Sequence, residues 1–134
     1  MEDDLFGLER RKYVRFEVEF SLKYRITLEN EKKPFTDWLH GMVENISLGG
    51  IRFNSTLSNK QIDALTEEIV VIVLELKLPG NETPVTCDAA LRFFQRGAPA
   101  NDDVPVDIGV EFVGLTDKNR SSISQFLQKI HLDS

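Results

Sequence analysis

The chain has 134 residues, 41% hydrophobic and 28% charged, with a net charge of −6. Those values fit one soluble domain large enough to bury its own core, and they weigh against a general nucleic-acid binder, which is basic overall. Cys87 is the only cysteine, so no intrachain disulfide can form, and no apolar run is long enough to cross a membrane or serve as a secretion signal; a cytoplasmic location without membrane insertion is expected.

Residues 1–14 lack a sustained period and read as a flexible N-terminal arm, with the folded domain spanning 15–134. Charge is segregated within the arm. Glu2, Asp3, Asp4 and Glu9 come first, then Arg10, Arg11, Lys12 and Arg15 with no acid among them. Such a compact basic site on an acidic protein suits a small anion better than a long polyanion.

From Phe16 to Ile26, apolar residues alternate with Glu17, Glu19, Ser21, Lys23 and Arg25, the pattern of a half-buried strand. The polar stretch 29–34 reads as a hairpin loop. A second strand is predicted over about 37–45 and a third over 50–54, with Ile51 and Phe53 inward. Residues 58–68 hold a short helical turn capped by Asn59, with Ile62 and Leu65 as its apolar anchors. The run 69–78 is a buried strand that ends at the Pro79-Gly80-Asn81 turn. Val85, Cys87, Ala89, Leu91 and Phe93 then alternate with Thr86, Asp88, Ala90 and Arg92. A loop over 97–105 leads to a last strand carrying Val106, Ile108, Val110 and Phe112. Ile123, Phe126, Leu127 and Ile130 come next at helical spacing, capped by Thr116 or Asp117. Six strands with short connections and one terminal helix predict a mainly β fold, a six-stranded antiparallel β-barrel with a C-terminal α-helix.

Two short patterns carry the functional signal. Arg11-Lys12-Tyr13-Val14-Arg15 is RxxxR, and Asn45-Ile46-Ser47-Leu48-Gly49-Gly50 is (D/N)xSxxG. RxxxR alone is weak, since Arg92 to Arg96 repeats it inside a strand. The second pattern is rarer, and the order and setting of the two strengthen both. The arginines precede the first strand, and the Asn-Ser-Gly element sits at a strand-to-strand turn. On these residues the chain resembles the PilZ domain family, bacterial receptor modules for cyclic di-GMP. The resemblance covers nearly the whole chain, including Ile108-Gly109-Val110-Glu111-Phe112 as the final strand before the closing helix.

The resemblance implies a ligand, cyclic di-GMP, and a set of contacts: Arg11, Arg15, Asn45, Ser47 and Gly50. Arginine suits this ligand because its planar fork pairs with a phosphate or with guanine O6 and N7, and its flat face stacks on a base. Extended, Arg11 and Arg15 lie roughly 13 Å apart; in a turn they meet. Arg10 is either a third contact, which the family associates with two stacked ligand molecules, or a solvated charge. Asn45 can read a guanine edge, and the Ser47 hydroxyl can bond base or phosphate. Gly50 is expected to admit the ligand close to the backbone or to adopt positive φ. The same Asn45, Ser47 and Gly50 also suit a self-bonded turn, which is compatible with binding.

Other residues have plainer readings. Arg92 suits a surface ion pair, Trp38 a partly buried strand position and Cys87 the core. His40 and His131 lack companions for a metal. No nucleophile-base set or P-loop is present, so no enzyme, metal or cofactor is expected. The leading expectation is a receptor whose arm orders over the barrel on ligand binding and alters a surface read by an unidentified downstream protein. The alternative is a ligand-independent protein-interaction module with a PilZ-like barrel. A third reading, a single-strand-binding barrel, is disfavoured by the acidic balance and by a basic cluster confined to the arm.

Overall fold

Alternation sustained over thirteen residues produces β1 (Phe16–Leu28), which buries Phe20, Leu22, Tyr24 and Ile26 and leaves Glu17, Glu19, Ser21 and Lys23 in solvent. The computed structural model describes residues 13–31 and 33–133. After β1 come β2 (Leu39–Ile46), β3 (Gly50–Leu57), α1 (Asn59–Glu67), β4 (Val70–Leu76), β5 (Val85–Arg96), β6 (Val104–Val113) and α2 (Asp117–Asp133). The strands close into an antiparallel barrel in the order β1-β2-β3-β6-β5-β4, the architecture expected from the sequence.

β1 is long enough to serve two neighbours. Phe16 to Tyr24 runs against β2, and Leu22 to Leu28 runs against β4. The interior is filled by Tyr24, Phe53, Ile72, Leu74, Leu76 and Ile108, all essentially inaccessible to solvent. Buried Tyr24 keeps its hydroxyl satisfied: it donates to Ser55 Oγ at 2.8 Å, and Ser55 donates to the His40 carbonyl at 2.6 Å.

The helices sit at opposite ends. α1 comes after the end of β3 and buries Ile62, Ala64 and Leu65. Its N-cap is Ser58, not Asn59 as the sequence suggested. Ser58 Oγ accepts the Gln61 amide at 3.2 Å while Gln61 Oε1 accepts the Ser58 amide at 2.9 Å, a capping box. Asn59 instead bonds Asp102 through its amide and its side chain, at 3.0 and 2.9 Å. α2 lies at the end where β1 starts. Ile123 and Leu127 are buried, and Phe126 meets Phe20 edge-on at 5.7 Å. Thr116 caps it, Oγ1 accepting the Asn119 amide at 3.1 Å. Among the described residues no helix is long and apolar enough to cross a membrane.

Register shifts break the alternation at two places that matter for function. On β2, Val43 faces Phe53 and Asn45 faces Arg52, so Glu44 is an extra residue and Val43 and Ile46 both point inward. On β5, Leu91 faces Val110 and Phe93 faces Gly109, so Arg92 is extra. The inward series expected to continue through Phe93 therefore stops at Leu91. Phe93 turns outward, 39% exposed, and Phe94 packs against the core in its place.

Candidate ligand-binding site

The turn between β2 and β3 is built around one hydroxyl. Ser47 Oγ accepts the amides of Gly49 at 3.0 Å and Gly50 at 3.2 Å, and the Ser47 amide donates to the Gly50 carbonyl at 2.9 Å. A hydroxyl has two acceptor sites and one donor, so the turn uses both acceptors. The proton is left with only a long 3.5 Å contact to the Gly50 carbonyl, which makes it the part free to serve an anion. The Phe112 amide donates to the Gly49 carbonyl at 2.9 Å and ties the turn to β6.

Gly50 is required for a reason the sequence did not reveal. A Cβ there would stand 2.1 Å from the Val110 carbonyl oxygen, so the close approach is to β6. Positive φ is likewise not the reason, since among the described residues the positive-φ glycines are Gly80 and Gly114.

In front of this turn, on the outer face of β3, β6 and β5, lies an open cleft of about 490 Å³, a size suited to a small molecule. Arg15, Asn45, Ser47 and Gly50, separated by up to 35 positions, all line it. Arg10 and Arg11 lie outside the described residues, as does most of the expected arm. Tyr13 also lines the cleft, its ring against Gly49, while Val14 is 72% exposed.

Further residues outside the two signature patterns line the cleft. Arg52 projects from β3 with its guanidinium carbon 4.4 Å from the centre of the Phe93 ring, a cation-π contact. Behind it, Arg52 Nη2 reaches Asp107 at 3.3 Å and Nε lies 3.8 Å from Glu44. The neighbouring Asp107 carboxyl, through proton sharing and charge, together with burial, raises the Glu44 pKa above the usual carboxylate value. Arg92 also lines the cleft and makes the ion pair expected of it, Nε to Glu111 Oε1 at 2.7 Å. Arg52 is legible as an outward residue two places after Gly50, and Arg92 as an outward residue of its strand; Phe93 depends on the β5 bulge, which leaves no mark in the pattern.

Trp38 and Cys87 lie elsewhere. Trp38 is half-buried beside β2 under Arg25, whose guanidinium carbon is 4.2 Å from the ring centre. Cys87 is buried in the core. No group of three or more His, Cys, Asp or Glu placed to hold a metal occurs among the described residues.

A closed antiparallel barrel with an arginine-bearing entry strand, a serine-locked turn and a basic outer cleft defines a recognisable class of small domain. The PilZ domain model matches residues 9–129, and the chain belongs to that family. The fold is similar to the PilZ domain of YcgR from Escherichia coli, solved with c-di-GMP, at a TM-score of 0.64 and 14% identity over 92% of this chain and 93% of that one. It is also similar to the Bacillus subtilis inhibitor of motility MotI/DgrA (TM-score 0.60, 20% identity, 93% of this chain and 53% of that one). The K. pneumonia MrkH–c-di-GMP complex gives a TM-score of 0.59 at 14% identity, over 92% of this chain and 53% of that one. The chain thus spans about half the length of MotI and MrkH, and at these identities the likeness is one of fold. No curated protein matches the chain.

Proposed function

We propose that this domain is a receptor for cyclic di-GMP that works as an adaptor and catalyses no reaction. The observation that carries the reading is the convergence of Arg15, Asn45, Ser47 and Gly50 on one cleft. In this reading Arg15 and Arg11 engage the phosphates and guanine edges with their forks, and Arg10 adds a third cation. Asn45 reads a guanine edge, the Ser47 proton serves a phosphate or base oxygen, and Gly50 holds the turn against β6. Arg52, backed by Phe93 and anchored to Asp107, offers a flat cationic surface for stacking. Residues 1–14 form the arm that closes over the barrel, and the surface so changed is read by a downstream protein. The doubly charged ligand supports that coupling because it gains most when arm and barrel engage it together.

Calorimetric titration of the full chain with cyclic di-GMP tests the reading. Saturable binding is expected, with loss in Arg15→Ala and strong weakening in Arg11→Ala. Unchanged affinity in both variants removes the arginines from the mechanism.

A further inference from the structure

Glu44 is the residue inserted at the β2 bulge, without a partner of its own on β3, and its carboxyl meets that of Asp107 from β6. Both reach the same cation. Arg52 Nη2 lies 3.3 Å from Asp107 Oδ2, and Arg52 Nε lies 3.8 Å from Glu44 Oε1, too far for a hydrogen bond. Glu44 Oε1 and Asp107 Oδ1 are shut off from solvent and have no hydrogen-bond partner among the described residues. Ionised carboxyl oxygens only accept, so two neighbouring carboxyls are satisfied together when one of them holds a proton. Neither carboxyl lines the cleft, whereas Arg52 does.

We propose that Glu44 and Asp107 are a positioning pair that holds Arg52 from behind and couples ligand binding to proton uptake, so that the anion is bound more tightly as pH falls. The inference rests on the cyclic di-GMP reading and deepens it. Fully ionised, the two carboxylates and Arg52 sum to one negative charge and compete with an incoming dianion for the guanidinium. With a proton on the pair the sum is zero and Arg52 has one rival fewer. An anion beside Arg52 in turn raises the proton affinity of the pair, and the two effects are a single coupling free energy. Glu44 already holds its proton above the ordinary carboxylate range, through Asp107 and burial, and binding pushes it further the same way. The surroundings supply no substitute cation. Asn54 of β3 bonds Glu44 and is neutral, as is Gln95 of β5 opposite Asp107. On the other flank β1 presents the exposed acids Glu17 and Glu19, and His40 lies further along β2 opposite Lys23. The next charges along β5 and β6, Arg92 and Glu111, pair with each other.

The experiment is a calorimetric titration of the full chain with cyclic di-GMP at about pH 7.5 and about pH 5, with thermal melting alongside. At the acidic value it is repeated in buffers of different ionisation heat, which counts the protons exchanged. The wild type is expected to bind about threefold tighter at the lower pH and to take up part of a proton. Glu44→Gln keeps the size of the side chain and cannot ionise. It is expected to bind about threefold tighter than the wild type at the higher pH and to lose the pH dependence. A carboxyl that merely braced the fold would give the reverse, weaker binding in Glu44→Gln by the same factor at both values. His40 and His131 are present in both proteins and cancel in the comparison. If Glu44→Gln melts early, Asp107→Asn, which lacks the other carboxyl, is expected to lose the pH dependence likewise. Parallel pH profiles in wild type and variant, or weaker binding of Glu44→Gln at the higher pH, overturn the proposal and leave the receptor reading in place. Absence of heat with the wild-type chain at both pH values overturns the receptor reading and this inference with it.

Discussion

Arg92 Nε lies 2.7 Å from Glu111 Oε1 across the β5–β6 pair, and both residues line the cleft. The two side chains are 62% and 53% exposed, so the pair itself adds little to stability. Its importance is to an incoming anion, which must compete with Glu111 for Arg92 and meets a like charge while doing so. Glu111→Gln is therefore expected to tighten binding of a dianionic ligand by about three- to tenfold at low salt, and by less as salt rises. Titrations at two ionic strengths check this; weaker binding in Glu111→Gln contradicts it.

A methyl at position 50 has no room. Gly50→Ala drives a carbon onto the Val110 carbonyl at the start of the β3–β6 ladder, where Gly50 pairs with Glu111 and Ile51 with Val110. The expected cost is roughly 2–3 kcal/mol, seen as a lower urea midpoint with unchanged slope. Gly49→Ala, one residue away, should melt like the wild type.

Ser47 holds the turn, and its role in the proposed ligand contact is separable from that one by experiment. Ser47→Ala strands the Gly49 and Gly50 amides that its oxygen now accepts, and should destabilise the fold by about 1–2 kcal/mol. Asn45→Ala should weaken ligand binding while changing stability by less than ~0.5 kcal/mol, because Asn45 is only half-buried at the strand end. Urea titration beside calorimetry for both variants gives the comparison.

Two buried acids set the alkaline limit of stability. Burial pushes the Tyr24 hydroxyl from 10.0 up to about 12, against the lowering effect of its hydrogen bond with Ser55. Burial, helped by the Asp88 charge, pushes the Cys87 thiol from 9.0 up to about 11. Each group holds its proton more tightly folded than unfolded. The stability they contribute is complete below pH 9.0, and is lost as pH rises through about 11 for Cys87 and about 12 for Tyr24. The urea midpoint should stay level up to that window and fall within it, and Tyr24→Phe should flatten the fall above pH 10.0.

The barrel is legible in the sequence wherever alternation runs unbroken. In β1 the odd and even positions separate cleanly, and Ile72, Leu74 and Leu76 of β4 all point inward. Legibility fails at single inserted residues. Glu44 and Arg92 each reverse the faces of the residues after them, and hydropathy carries no sign of where a ladder slips by one. That is why alternation assigns Phe93 to the core although it forms part of the cleft wall. At α1 the Ser58-to-Gln61 capping box is visible in the sequence, but Asn59 is an equally good capping residue and the choice is settled by Asp102, distant in sequence. The Tyr13–Gly49 contact and the Gly50–Val110 approach join segments far apart in sequence, and only the closed barrel brings them together.

The most direct test of the account tracks the backbone amides of the full chain by NMR during titration with cyclic di-GMP. The account predicts saturable shifts concentrated at Arg15, Asn45, Ser47, Gly49 and Gly50 and at the amides of 10–12, with the interior of the barrel little changed. No shift at millimolar ligand, or shifts confined to the far end of the barrel around α1, would contradict it.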